Sequence, residues 1–129
     1  MVLYNGIFIT LDELQKAANL RTYPLEREIT NPHVTCEFRP KNPQTELFGT
    51  EAEVTITGYG CDGNNEGFSV SVKTANPEVQ ALIDKVPVPH ITLSVSAKGR
   101  PVDTAHLKFT PCEHVVLHGI FAGYDPNQN

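Results

Sequence analysis

Val88-Pro89-His90-Ile91-Thr92-Leu93 repeats, fifty-seven residues downstream, the pattern of Asn31-Pro32-His33-Val34-Thr35-Cys36. Both segments read Pro-His-(β-branched)-Thr. In each, a proline leads into β-branched residues, which predicts a strand, and in each a helical pattern lies upstream. Side chains at i and i+2 of a strand project from one face. His33 therefore shares a face with Thr35, and His90 with Thr92. Ser94 and Ser96 continue the second face, either against a ligand or as the solvated side of the strand. A second echo, Asn5-Gly6-Ile7-Phe8 against His118-Gly119-Ile120-Phe121, lies near opposite ends of the chain. Together the echoes predict two β-α-β lobes related by an approximate twofold.

The pattern around the motifs supports that organisation. Val2 to Thr10 reads as a strand. Thr10, with Glu13 three residues on, is a capping signal for a helix that ends near Asn19 before Tyr23-Pro24. The stretch from Leu25 to Thr30 gives no clear pattern. His33 to Phe38 predicts a strand, and Pro40 to Pro43 a loop. Glu51 to Tyr59 and Phe68 to Val72 alternate between apolar and polar residues, with a turn signal over 60–67, and predict a β-hairpin. Asn76-Pro77-Glu78 starts a second helix, its stripe made of Val79, Leu82 and Ile83, stopped by Pro87 and Pro89. His90 to Ser96 and His114 to Ala122 are further strands, Asp103 to Leu107 is a short helix, and 125–129 is a polar tail. One α+β domain over 1–129 with largely antiparallel sheets flanking a central cleft is the packing these elements predict.

Composition narrows the function classes. With 129 residues and 40% hydrophobic content the chain can bury a core without metal or disulfide staples. Three cysteines without a CxxC pair argue against a disulfide framework or zinc site and point to a reducing, cytoplasmic setting. The start lacks the basic region of a signal peptide. No apolar run approaches the ~20 residues of a membrane helix. A net charge of −5 argues against charge-driven binding to duplex DNA, but leaves room for a small nucleotide or a single RNA end. A monomer is expected.

Two imidazoles and two hydroxyls brought into one groove suit phosphodiester chemistry. With an ordinary pKa near 6.5, one histidine can be neutral and take a proton while the other is protonated and gives one. Threonine hydroxyls can donate to the non-bridging phosphate oxygens. Paired His-x-Thr strands in a small two-lobed chain resemble the 2H phosphoesterase superfamily. Pro89-His90-Ile91-Thr92-Leu93 followed by Lys98-Gly99-Arg100-Pro101-Val102-Asp103 resembles the cyclic phosphodiesterase domain of plant and fungal tRNA ligases.

The resemblance implies two pseudo-symmetric lobes and hydrolysis at a 2′,3′-cyclic phosphate, of an RNA end or a cyclic nucleotide, with no metal and no cofactor. It places catalysis on His33 and His90 and phosphate binding on Thr35 and Thr92; members of the family differ in which histidine is acid and which is base, and the expectation taken here is His90 as base and His33 as acid. Ser94 and Arg100 are further candidates for substrate contact. Glu37 departs from the family pattern. Sharing the face of His33 and Thr35, its carboxylate would repel phosphate unless it pairs with Arg39. That conflict and the low basic content motivate an alternative, a non-catalytic nucleotide or RNA-end binding module on the same fold.

Overall fold

A computed structural model describes residues 1–127; Gln128 and Asn129 of the polar tail lie outside the described residues. Seven strands form one continuous antiparallel sheet rather than two separate ones. They are β1 (Tyr4–Phe8), β2 (Arg27–Glu28), β3 (His33–Phe38), β4 (Glu51–Cys61), β5 (Asn65–Lys73), β6 (His90–Val95) and β7 (Thr110–Tyr124), arranged β2-β6-β5-β4-β7-β1-β3. With helices α1 (Leu11–Leu14) and α2 (Pro77–Asp84) and three 3-10 segments, the fold is α+β and mostly β. No helix among the described residues is long and apolar enough to cross a membrane.

The helix starts follow their caps. Thr10 Oγ1 accepts from the Glu13 amide at 3.1 Å, and Asn76 Oδ1 accepts from the Glu78 and Val79 amides at 2.9 and 3.1 Å. The first helix is shorter than its apolar stripe predicts: after four residues it tightens into a 3-10 segment, Gln15–Leu20. Two strand readings also change. The unpatterned stretch after Leu25 contains β2, two residues that pair with Ser94 and Val95 at the edge of β6. The hairpin turn shrinks to Asp62, Gly63 and Asn64, because the Asp62 carboxylate accepts from the Asn64 and Asn65 amides at 2.9 and 2.8 Å and Gly63 takes φ +88°. Asn65 and Glu66, which read as turn residues, are buried at the start of β5.

One face of the sheet carries the core. Ile7, Val34, Val54, Ile56, Phe68, Ile91, Leu117 and Phe121 are fully or almost fully buried there, joined by Ala17 and by Val79 and Ile83 of α2. The strands of the repeat are held in matching ways. β3 pairs with β1 through Phe8↔His33, Ile7↔Val34 and Gly6↔Thr35, after which the register slips one residue to Asn5↔Glu37. β6 pairs with β5 through Ser69↔His90, Phe68↔Ile91 and Gly67↔Thr92, then slips one residue to Glu66↔Ser94. Cys36 and Leu93 are thus the extra residues of two β-bulges, each directly after the His-x-Thr motif. By register, the counterpart of Asn5-Gly6-Ile7-Phe8 is Glu66-Gly67-Phe68-Ser69. His118–Phe121, the echo seen in the sequence, lies in β7, which pairs with β1 itself.

Both bulges need a glycine opposite. A Cβ on Gly6 would sit 2.2 Å from the Val34 carbonyl oxygen, and one on Gly67 would sit 2.7 Å from that of Ile91. Backbone atoms cannot yield as a flexible side chain can. Gly6→Ala is therefore expected to lower the unfolding free energy by about 1–3 kcal/mol, read as a lower urea midpoint with an unchanged m-value.

Candidate active site

Following the cross-strand pairs across the sheet places all four motif side chains on one face. His33 lies beside Phe8, Phe8 beside Ile120, and Ile120 beside Glu51. Along β4 and β5, Glu53 lies beside Lys73, and Ser69 beside His90. Every residue of that path lies opposite the core face, because alternation is unbroken along it. Although β3 and β6 stand five places apart in the sheet order, they touch, so the sheet curls to bring the two motifs together. The two rings are near enough that the charge of His90 acts on His33.

Each imidazole is held in the same way. His33 Nδ1 donates to the carbonyl of Asn31 at 2.7 Å, and His90 Nδ1 donates to the carbonyl of Val88 at 2.8 Å. A carbonyl can only accept, so Nδ1 carries the proton in both neutral rings and Nε2 offers its lone pair. No group among the described residues binds either Nε2. Pro32 and Pro89 stand inside these two-residue loops, where their fixed φ shapes the approach. His33 is further fixed by stacking against Tyr4 and Phe8, at ring-centre distances of 4.6 and 5.1 Å, in a cluster where Tyr4 also stacks on Phe8 at 5.9 Å and on Tyr124 at 5.2 Å. Burial, opposed by the bond to Asn31 and reinforced by the charge of His90, holds the pKa of His33 below the ordinary histidine value.

The threonines differ. Among the described residues the Thr35 hydroxyl has no hydrogen-bond partner. The Thr92 hydroxyl donates to Thr104 Oγ1 at 2.9 Å and lies 3.3 Å from the Pro101 carbonyl.

Two readings from the sequence, the faces of Glu37 and Ser94, need correction. The bulge at Cys36 turns Glu37 away from His33 and Thr35, onto the face of Asn5. There its carboxylate accepts from Asn5 Nδ2 at 3.0 Å, and Asn5 Oδ1 accepts from the Glu37 amide at 3.0 Å. Arg39 does not pair with it and lies over the Phe38 ring. The matching bulge at Leu93 turns Ser94 to the core face. It is fully buried, donates to Glu66 at 2.6 Å, accepts from the Leu25 amide at 2.9 Å, and does not share the face of Thr92. Arg100 remains on the surface with its side chain 73% exposed, paired with Asp103 at 3.3 Å. Burial, with the charge of Glu37 adding, pushes the Cys36 thiol up to about 12, away from the thiolate form.

Glu66 anchors the back of the second motif strand. Its buried carboxylate pairs with Arg21 and accepts from Tyr59 Oη at 2.7 Å and from Ser94. Arg21 also forks onto Glu28 at 2.7 and 2.9 Å. Burial raises the carboxyl pKa of Glu66, but the bonds from Arg21, Ser94 and Tyr59 outweigh it and hold the group below its ordinary value. Burial and the bond to this carboxylate push Tyr59 up to about 12.

A cavity of about 620 Å³ occupies the same face as the motifs. Phe8, Thr10, Glu53, Lys73, His118 and Ile120 are among the residues that line it. Neither motif histidine does; Phe8, whose ring stacks on His33, is the link between cavity and motif. Compared with models of known protein families and with curated proteins, the chain has no significant match.

Because the pKa of Glu66 is lower in the folded protein, the stability it confers is complete above the ordinary carboxylate range and lost as pH falls through the folded value. Glu66→Gln should therefore flatten the acid side of the stability–pH curve. Glu66→Ala, which strands Arg21, should cost about 3–5 kcal/mol near neutrality by chemical unfolding.

Proposed function

We propose that the protein is a metal-independent phosphodiesterase of the 2H type. It hydrolyses a 2′,3′-cyclic phosphate, carried by an RNA end or a small nucleotide. Support comes above all from the matched registers of β3 and β6. Two Pro-His-x-Thr segments, each followed by a bulge and each facing a glycine, present two imidazoles with the same ring nitrogen tied down and the other without a partner among the described residues. On this reading the sheet consists of two lobes, β7-β1-α1-β3 and β4-β5-α2-β6, related by a pseudo-twofold between β4 and β7. The strand order then runs alike from either end, with β2 an addition at one edge.

The chemistry needs one neutral and one protonated imidazole. Burial favours the neutral form of His33, and a charge on His90 opposes a second charge beside it, so when the pair holds one proton His33 is the ring left without it. His33 is then the base and His90 the acid, the reverse of the assignment expected from the sequence. His33 Nε2 takes a proton from water as the oxygen attacks phosphorus. The bond from phosphorus to one ribose oxygen breaks, and His90 Nε2–H gives that oxygen its proton. Thr35 donates to a non-bridging oxygen, where negative charge builds, and Thr92 does the same once its hydroxyl proton turns from Thr104 to the ligand. The product is a ribose phosphate monoester, and proton exchange with solvent resets the pair.

The turning of Glu37 supports catalysis over the binding-module alternative, since the carboxylate that motivated that alternative lies on the other face. The cavity beyond Phe8 supports a nucleoside as the rest of the substrate. Its size lies in the range of small-ligand sites, and Phe8 and Ile120 supply apolar surface for a base.

The decisive assay is hydrolysis of 2′,3′-cyclic nucleotides with EDTA present. His33→Ala and His90→Ala should each lower kcat/KM by about 10²–10⁴-fold. Turnover surviving both changes would refute the proposal, and binding without turnover by the wild type would favour the module. The profile of kcat/KM against pH should be a bell. Its acid limb, where His33 becomes protonated and cannot act as base, should lie below the ordinary histidine range.

A further inference from the structure

We infer that Thr104 is a positioning residue that fixes the Thr92 hydroxyl, making Thr92 the rigid and Thr35 the adaptable half of the phosphate grip. The inference rests on the proposed function for its meaning, but its geometry stands apart from it. Thr104 lies in the 3-10 segment Pro101–His106 that follows β6, and it is fully buried. Its hydroxyl accepts from Thr92 at 2.9 Å and from Asn65 Nδ2 at 3.0 Å. Asn65, itself 1% exposed, uses its other amide proton on the Arg100 carbonyl at 2.6 Å. The side chain of Asn65 thus ties the start of β5 to the segment carrying Thr104, and Thr104 ties that segment to Thr92.

The Thr104 methyl has a second role. Gly67, directly across from Thr92, leaves a gap on the motif face, and a Cβ placed there would sit 2.4 Å from Thr104 Cγ2. Thr104 therefore fills the space beside Thr92 with its methyl while bonding Thr92 with its hydroxyl. At the first motif the three atoms nearest the missing Cβ of Gly6 are all backbone, whereas at the second the nearest is the Thr104 methyl. A threonine χ1 chooses among staggered wells, and a buried partner at hydrogen-bond distance selects one of them. The Thr92 side chain is so held in one rotamer before any ligand arrives, whereas Thr35 must be ordered by the ligand itself; on binding, the Thr92 proton turns to the phosphate and the Thr104 hydroxyl donates to Thr92 Oγ1 in return, while still accepting from Asn65. Preorganised donors avoid that ordering cost on binding.

The test replaces Thr104 by Val, which keeps the shape and removes the hydroxyl, and by Ser, which keeps the hydroxyl. NMR couplings that report the Thr92 χ1 are measured without substrate, and KM and kcat with a 2′,3′-cyclic nucleotide. Thr104→Val should convert Thr92 from one rotamer to an average. It should also raise KM roughly three- to tenfold, the loss of about one hydrogen bond, with the shape of the pH profile unchanged. Thr104→Ser should restore both. Should Thr104→Val fail to fold, Thr104→Cys, with a weaker acceptor of similar size, is read by the same criteria. A folded Thr104→Val or Thr104→Cys protein with a single Thr92 rotamer overturns the inference, as does one with an unchanged KM. A wild type without turnover defeats the catalytic reading instead, and the rotamer measurement then judges the positioning role alone.

Discussion

A single extra residue in each motif strand determines what the motif face of the sheet presents. The β-bulges at Cys36 and Leu93 reverse the alternation directly after His-x-Thr. Without the first, Glu37 would stand beside His33 and Thr35 and set a carboxylate against an anionic ligand. With it, the carboxylate turns to the other face and is satisfied by Asn5. The second bulge turns Ser94 inward onto Glu66. Each inward polar residue needs a buried partner, and each bulge needs a glycine across the ladder. Asn5-Gly6 and Glu66-Gly67 are thus the other half of the motif, written on the neighbouring strands.

Within this shared plan the two halves differ in environment. His33 packs against the stacked rings of Tyr4 and Phe8, while His90 follows an exposed Val88 and pairs across the ladder with Ser69. Thr92 is bonded by a buried residue and Thr35 is not. The second motif strand is backed by an ion pair, the first by a neutral amide on Glu37. In the proposed reaction these unequal surroundings separate the two matching imidazoles into a base and an acid at one phosphorus centre.

Much of this frame was legible in the sequence. The shared faces of His33 with Thr35 and His90 with Thr92 follow from strand periodicity. The Thr10 and Asn76 caps follow from side-chain chemistry, and the β4–β5 hairpin from alternation. The bulges were not legible, because a bulge is a property of two strands, and Gly6 and Gly67 acquire their meaning only once Thr35 and Thr92 lie across from them. Glu66 looked like a turn residue because its partners, Arg21, Tyr59 and Ser94, come from distant segments. Thr104 carried no signal at all: a threonine in a short helical stretch looks like any surface residue until the fold sets Asn65 and Thr92 beside it.

The central claim is that two imidazoles, both tied at Nδ1, share one phosphorus centre through Nε2. It is tested most directly by long-range ¹H–¹⁵N NMR of the His33 and His90 rings during titration with inorganic phosphate. The account predicts the Nδ1–H form for the neutral state of both rings, with the Nε2 resonances of both moving together as phosphate binds. An Nε2–H form in either neutral ring, or a response confined to one of them, would contradict it.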